Sequence, residues 1–384
     1  MTGSRPTVVF VSEAEEFAGA EHYMVLIMEA LADRFDFLVV AGKGAADETL
    51  SKSENAGGRT MVIGGLRRKP SLSAQLELTR LLRRTSPDLV HVNASDQGSG
   101  VATFIASRFV AAPLVATLHN KIPLRSRARE FVSRAMLRTS DQIIAVSDGV
   151  GGYLERLDLK HVVVKNGLLP PRIDPLARKR LGLEPDAFVV GGIGRLHHQK
   201  GWDVLCAAAP AIRAQRPDIQ IIVVGDGPLR EELKRMHGSD EVRFEGYTRD
   251  ASSLLGAFDL LVMPSRYEGL GLVAIEGMFS GIPIVASKVD GLVEVIGETG
   301  RLVPPEAPDL LADAIVDMAS NRRGREDLAA LASERARRLF HRDRMAEQTA
   351  AVYESLIASK PWSPAVKTST DEDARLRGLS EAGS

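Results

Sequence analysis

The stretch RYEGLGLVAIEGM, residues 266–278, carries two acids, Glu268 and Glu276, eight positions apart in an otherwise apolar, glycine-bearing run. The apolar segment FDLLVMPS precedes it and IPIVAS follows. In a strand–loop–helix unit, RYEGLG is the loop beyond the carboxyl end of the strand, and a helix is expected from about Leu270 to Phe279. Glu268 then lies in the loop and Glu276 in the second helical turn. The first helix amides, near Leu270, Gly271 and Leu272, lack intrahelical partners and suit a phosphate, while Gly269 and Gly271 clear room for it. At ~1.5 Å of rise per residue, Glu276 sits roughly 7–9 Å along the axis from those amides. That spacing suits a hydroxyl-rich group on one side of a phosphate, with Glu268 serving a second such group on the other, since carboxylates accept hydrogen bonds from paired hydroxyls. The alternative, two surface acids, is disfavoured by the apolar flanks.

A second segment, GGIGRLHHQKG (191–201), ends a strand in glycines and places Arg195 and Lys200 in one loop. Two cations five apart after a strand end can close on two phosphates; a solvated basic loop is the competing reading. His197 and His198 are adjacent, a poor geometry for holding one metal ion, so no metal ligands are assigned. EFAGAEHY (16–23) has Gly19 before a helix, which fits either close anion approach or a tight turn. It is no dinucleotide fingerprint, because only one glycine is present and the second strand ends without a ribose-binding acid. IIVVGDGPLREEL (221–233) reads as a structural turn, with Pro228 in the first helical turn and Asp226 as a cap.

These loops need a frame. Apolar runs at 7–12, 35–42, 59–65, 88–93, 113–120, 142–147 and 161–167 alternate with helical patterns such as 72–85, 98–110 and 126–139. Strands apolar throughout and alternating with helices predict a parallel sheet covered on both faces. The pattern restarts at 188–195 and continues through 219–227, 242–247, 259–265, 282–287 and 299–305, with helices expected over 308–322, 324–340 and 343–358. The expected fold class is α/β, two Rossmann-like doubly wound domains facing across a cleft. Residues 1–169 form the N-terminal domain, 170–187 a proline-rich linker with a short helix, and 188–340 the C-terminal domain. A helix at 341–358 returns toward the N-terminal domain, and 359–384, aperiodic and rich in serine and charge, reads as a disordered tail. Ligands of such sheets sit beyond the carboxyl ends of the strands, here in the cleft.

Bulk properties narrow the function. A chain of 384 residues implies two domains, and a net charge of −1 argues against a nucleic-acid partner. The one cysteine, Cys206, reads as a buried filler and fits a reducing cytoplasm. No secretory or membrane-spanning segment is evident.

Together, EGLGLVAIE, GRLHHQKG, VVGDGPLREEL, VRFEGY, GIPIVAS and TGRLVPP, in this order, resemble the retaining glycosyltransferases of family 4, which have the two-domain GT-B fold. EGLGLVAIE matches the family's E-x7-E motif. The resemblance implies that Arg195 and Lys200 bind the diphosphate of a nucleotide-sugar, with Gly19 beside it. Glu268 contacts the donor sugar, Glu276 holds the ribose and the backbone near Tyr247 borders the base. His119, ending PLVATLHN, matches the active-site histidine of the N-terminal domain. Three departures stand out: Ala18 replaces the first of the family's paired glycines, Leu270 replaces a phenylalanine, and KNGLL replaces the PNGVD pattern. None removes a charged donor ligand.

The expected activity is therefore metal-independent transfer of a sugar, with retention, to an unidentified acceptor, with no cofactor. His119, Glu268, Arg195 and Lys200 would be catalytic, and the loop from Gly269 to Leu272 would contact the donor. The alternatives are a nucleotide-sugar epimerase of the same fold and a non-catalytic nucleotide-sugar-binding protein. A separate signal concerns an anionic membrane. Residues 59–84 carry Arg59, Arg67, Arg68, Lys69, Arg80, Arg83 and Arg84 against Glu77, and 121–138 carry Lys121, Arg125, Arg127, Arg129, Arg134 and Arg138 against Glu130. On a helix, Phe131, Val132, Ala135 and Met136 share a face beside those arginines. This suits peripheral attachment at the inner face of the membrane; an amphipathic helix packed on its own sheet is the competing reading.

Overall fold

The computed structural model describes residues 4–359, apart from 15–16, 18, 43–45, 68–70, 121–126, 185 and 238–240. The expectations placed on Ala18, Arg68, Lys69, Lys121, Arg125 and the tail beyond Ser359 fall outside the described residues. Each apolar run named above contains a strand. The first seven are β1 (Thr7–Ser12), β2 (Asp36–Gly42), β3 (Arg59–Ile63), β4 (Leu89–Ala94), β5 (Leu114–Leu118), β6 (Gln142–Ala145) and β7 (His161–Val163). The other six are β8 (Phe188–Ile193), β9 (Ile219–Val224), β10 (Arg243–Gly246), β11 (Leu260–Met263), β12 (Ile284–Ser287) and β13 (Arg301–Val303).

Among the described residues these strands form two sheets, ordered β3-β2-β1-β4-β5-β6-β7 and β10-β9-β8-β11-β12-β13. Neighbouring strands pair in parallel throughout. The central strands β1, β4 and β8 are buried along their whole length, which is why they lack the alternation of a one-sided sheet. Each sheet reverses its direction of growth between the first strand and the one that follows its second crossover, at β1/β4 and at β8/β11. The loops leaving the carboxyl ends of those strands are where such sheets hold ligands. They contain Gly19, Arg195, Lys200 and Glu268.

The first sheet is covered on one face by helices Gly19–Leu31 and Arg342–Ala358, and on the other by Leu72–Thr85, Val101–Ser107 and Arg127–Leu137. Cys206 is fully buried on helix Trp202–Gln215, and burial pushes its thiol up to about 12. The helix after β11 spans Leu272–Phe279, starting two residues later than expected. The reason is Gly271, whose φ of +77° is a left-handed backbone that ends the loop rather than opening the helix. Leu270 therefore lies in the loop, buried in the apolar core.

The chain crosses between the two sheets twice, and the crossings run side by side. Leu168 N–H donates to Phe340 O at 2.8 Å, and Arg342 N–H to Leu168 O at 3.0 Å. A Cβ on Gly167 would lie 2.5 Å from His341 O, so the glycine retained in KNGLL is required by close backbone approach. Beyond this crossing, helix Arg342–Ala358 inserts Tyr353 into the core of the first sheet. Tyr353 Oη meets His91 Nδ1 at 2.5 Å, and His91 Nε2 meets Thr117 Oγ1 at 2.7 Å, all fully buried. A third link is carboxylate to amide: Glu294, after β12, accepts from Asp148 N–H at 2.9 Å and lies 3.0 Å from Lys165 Nζ.

Tyr353→Phe keeps the ring but leaves a buried imidazole nitrogen without its partner. The expected cost is about 1–3 kcal/mol of unfolding free energy, read from urea titration followed by tryptophan fluorescence. A loss below ~0.3 kcal/mol would mean that this contact does not hold the helix.

Candidate active site

Because β8 and β11 are neighbours, the loops that follow them meet. Lys200 ends a short 3-10 turn, His198–Lys200, and Glu268 lies in the loop after β11. Lys200 Nζ and Glu268 Oε1 are 2.6 Å apart, and Ser265 Oγ donates to the same oxygen at 2.8 Å. Both charged side chains are largely removed from solvent, at 19% and 7% exposure. Arg266 ties the two loops together. Its guanidinium grips both oxygens of Asp203 at 2.9 and 2.7 Å and donates to His198 O at 2.8 Å, while its backbone N–H donates to Gln199 O at 2.8 Å. The guanidinium in turn holds the Asp203 carboxyl below the usual range. Sequence reasoning passed over Arg266, Asp203 and Ser265. The available signal was a third cation, Arg266, inside the acid-bearing stretch itself.

Arg195 stands exposed on the same loop, where its carbonyl accepts from Trp202 Nε1–H at 3.0 Å. His197 and His198 are exposed loop residues, and among the described residues no group of three or more His, Cys, Asp or Glu side chains could hold a metal ion. The VVGDG turn supports this loop from below. Leu196 N–H donates to Asp226 O at 2.9 Å, and Leu229 N–H donates to Leu196 O at 3.1 Å. Asp226 accepts from Gly227 N–H and pairs with Arg230 instead of capping a helix amide, and because the helix begins at Arg230, Pro228 lies in the turn before it rather than in its first turn.

Glu276 faces the loop after β10. Burial, helped by the negative charge of Asp250, raises its carboxyl from 4.5 to about 7 against the opposing hydrogen bond with Ser252. Tyr247 opens that loop, with three-quarters of its surface exposed. The two acids thus lie on either side of the helix start, Glu268 in the loop before it beside Lys200 and Glu276 within the helix beside Ser252.

The first sheet contributes the opposite wall. His119, just past β5, is buried with its Nε2 2.8 Å from Asn93 Oδ1 and its ring edge-on to Tyr23 at 4.9 Å. Asn93 Nδ2–H donates to Ala20 O at 2.8 Å, which turns Oδ1 toward the imidazole and makes Nε2 the protonated nitrogen. His119–Asn120 lies against Gly269: a Cβ there would sit 2.1 Å from Asn120 Oδ1 and 3.1 Å from His119 O. A Cβ on Gly19 would lie 3.4 Å from Leu272 Cδ1. The structure therefore brings His119, Gly19, Gly269, Leu272, Glu268 and Lys200 to one cleft. Glu13, just past β1, is buried. It accepts from Gly100 N–H at 3.1 Å and Ala102 N–H at 3.0 Å, and sequence reading assigned it no role.

Four buried groups give the fold an unusual acid response. Burial pushes His91 and His119 from 6.5 down to about 3, and raises Glu13 and Glu276 from 4.5 to about 7. Between pH 4.5 and 6.5 the unfolded chain protonates both histidines and the folded chain both carboxyls, so the proton counts match and these groups leave stability level. Below 4.5 the unfolded chain also protonates the carboxyls, and stability falls as pH drops toward 3. Replacing His91 by Asn should lower the pH slope of unfolding free energy across this acid window by about 1.4 kcal/mol per pH unit. Urea titrations at successive pH values measure it, and an unchanged slope would mean that His91 is charged in the folded protein.

Residues 17–169 match the family described as "Glycosyltransferase Family 4", and residues 187–321 match "Glycosyl transferases group 1". The chain is 32% identical over 243 residues to the lipopolysaccharide core biosynthesis mannosyltransferase LpsB of Rhizobium meliloti, covering 59% of this chain and 68% of that one. It is 33% identical over 291 residues to the 2-deoxystreptamine N-acetyl-D-glucosaminyltransferase of Streptomyces fradiae, covering 66% and 68%. Among solved structures, Anabaena HepE in complex with UDP and glucose superposes with a TM-score of 0.78 at 24% identity, over 91% of this chain and all of the other. Sucrose-phosphate synthase from Thermosynechococcus elongatus gives 0.76 at 24% identity, over 93% of this chain and all of the other. The paired sheets, the acid-bearing loop and these relatives converge: the chain belongs to glycosyltransferase family 4 and is a glycosyltransferase of the GT-B fold.

Proposed function

We propose that this glycosyltransferase takes a sugar from a nucleoside-diphosphate sugar and passes it to an acceptor with retention of anomeric configuration, without a metal ion. The reading is carried by the 2.6 Å meeting of Lys200 and Glu268 beside the open amides of helix Leu272–Phe279. In this reading a phosphate-binding cation stands directly against a sugar-binding carboxylate. In this reading residues 188–340 bind the donor, residues 1–169 face the acceptor, and 170–187 with 341–358 join them. The solved relatives titled as complexes with UDP or UDP-glucose support a nucleotide-sugar donor. The single buried cysteine fits work in the cytoplasm.

The step to be catalysed is departure of the nucleoside diphosphate. Lys200, Arg195 and the amides at Leu272 and Val273 neutralise the growing negative charge, with no reorganisation needed during the reaction. Glu268 accepts from the sugar hydroxyls and favours positive charge on the ring, while Lys200 turns from it toward the phosphates. Glu276 accepts from the ribose hydroxyls, Gly19 leaves room for the diphosphate, and the backbone at Tyr247 borders the base. His119, neutral and with Nε2–H committed to Asn93, presents its other ring nitrogen as an acceptor for a sugar hydroxyl rather than as a proton carrier. The acceptor enters from the face the diphosphate leaves, and a phosphate oxygen takes its proton.

A screen of nucleotide-sugars by thermal shift, followed by transfer assays in excess EDTA, tests the reading. Product anomeric coupling in proton NMR should match that of the donor. Activity lost in EDTA and restored by magnesium or manganese would overturn metal independence, and donor epimerised without acceptor would favour an epimerase.

The two acids should separate in binding experiments with UDP and GDP as probes. Glu276→Ala should weaken binding of the better nucleotide roughly ten- to a hundredfold. Glu268→Gln should leave that affinity within about twofold and lower kcat instead, together with Lys200→Ala, which loses about 2–4 kcal/mol of transition-state stabilisation. Equal losses of nucleotide affinity in Glu276→Ala and Glu268→Gln would refute the division.

A further inference from the structure

The three helices that cover the outer face of the first sheet carry an apolar and basic surface that the reaction does not use. Leu72–Thr85 packs on Val101–Ser107, and that helix packs on Arg127–Leu137, so the three form one layer. Gln75 Nε2 donates to Ala102 O at 3.0 Å, and Arg83 Nε donates to Phe109 O at 3.1 Å. Each helix has a complete inward face, with Leu78, Leu81 and Leu82 on the first, Phe104 on the second, and Ser133 and Leu137 on the third. Large apolar side chains nevertheless point away from the sheet: Leu72 (76% exposed), Leu76, Ile105, Phe109, Phe131 (73%) and Val132.

This decides between the two readings of the helix near residue 131. A helix packed by its apolar stripe on its own sheet would bury Phe131, Val132 and Ala135, and all three are exposed. The seam against the sheet is made instead by Ser133 and Leu137, with Met136 packed beside them. The outward apolar groups are interleaved with mostly basic charge, of which Arg134 and Arg138 pair with the exposed Asp158. Across 72–85, 101–108 and 127–138 there are eight arginines and two glutamates, in a chain whose net charge is −1. Six isolated apolar side chains would be ordinary on a protein surface; six gathered on one layer among arginines are not.

We infer that this helical layer docks on an anionic lipid bilayer, with Phe131, Val132, Leu72 and Leu76 entering the headgroup boundary and the arginines pairing with lipid phosphates. A charge-rich, apolar-studded face of this kind fits a lipid surface because arginine binds phosphate bidentately while the aromatic and aliphatic groups enter the acyl boundary. A neutral or acidic protein partner would account for either the charge or the apolar groups, whereas an anionic bilayer accounts for both. Among the described residues no helix is long and apolar enough to cross a membrane, so attachment is at the surface. The inference is independent of the donor and mechanism proposed above.

Flotation of the full-length protein with phosphatidylcholine vesicles, and with vesicles containing 30 mol% phosphatidylglycerol, at low and high salt, tests it. The expected result is binding only to the anionic vesicles, weakened by salt. Arg80→Glu with Arg84→Glu, and separately Phe131→Ser with Val132→Ser, should each cut the bound fraction at least about tenfold without lowering Tm. Arg322→Glu with Arg323→Glu, exposed on the other unit, should change it little. Failure to float with either vesicle at low salt, equal binding to both, or insensitivity to both pairs of changes on this layer would overturn the proposal.

Discussion

The contact between Lys200 and Glu268 is the point on which the site depends, because it joins loops that leave adjacent strands at the reversal of the second sheet. Taking both charges out of water is costly, and a single 2.6 Å contact recovers that cost only with help from its surroundings. Ser265 supplies a second donor to the carboxylate, and Arg266 with Asp203 fixes the loops so that neither side chain can leave cheaply. In the proposed reaction a diphosphate beside Lys200 would offer an acceptor stronger than Glu268, so the pair would trade partners without either charge being left buried alone.

Backbone approach is the second constraint. Gly269 lets the His119–Asn120 segment touch the acid-bearing loop, while Gly19 meets Leu272 at ordinary contact distance. A side chain at Gly269 would push the His119–Asn120 segment away from the acid-bearing loop by a few tenths of an ångström or more. The hydrogen bond from His119 to Asn93, and from Asn93 to Ala20, fixes the imidazole from behind. Packing that sets the width of the cleft is thus inseparable from the chemistry at its centre.

The strand series was legible because both sheets are parallel and their central strands are buried along their whole length, so those strands read as plain apolar runs. Loop chemistry was legible where rare residue types recur at a fixed spacing, as in RYEGLGLVAIE. What the sequence hid was long-range pairing. Tyr353 and His91 are far apart in the chain, and nothing local marks either as a partner of the other. The start of helix Leu272–Phe279 was misplaced because Leu270 and Gly271 look helical by pattern, while only the left-handed φ at Gly271 reveals the boundary. The orientation of Phe131 was undecidable from periodicity, since a stripe at helical spacing does not say whether the sheet or the solvent receives it.

The paired crossings at Leu168 and Phe340–Arg342 have a mechanical consequence. Two chain segments bonded side by side behave as a ribbon, stiff to twisting across its width and compliant to bending about a line along it. Twisting would strain both backbone bonds at once, whereas bending strains neither. The joint therefore has one soft degree of freedom, and a hinge of that kind returns to the same closed register on every cycle. His119 and Glu268 are carried on opposite sides of this joint, so its stiffness governs how their loops align.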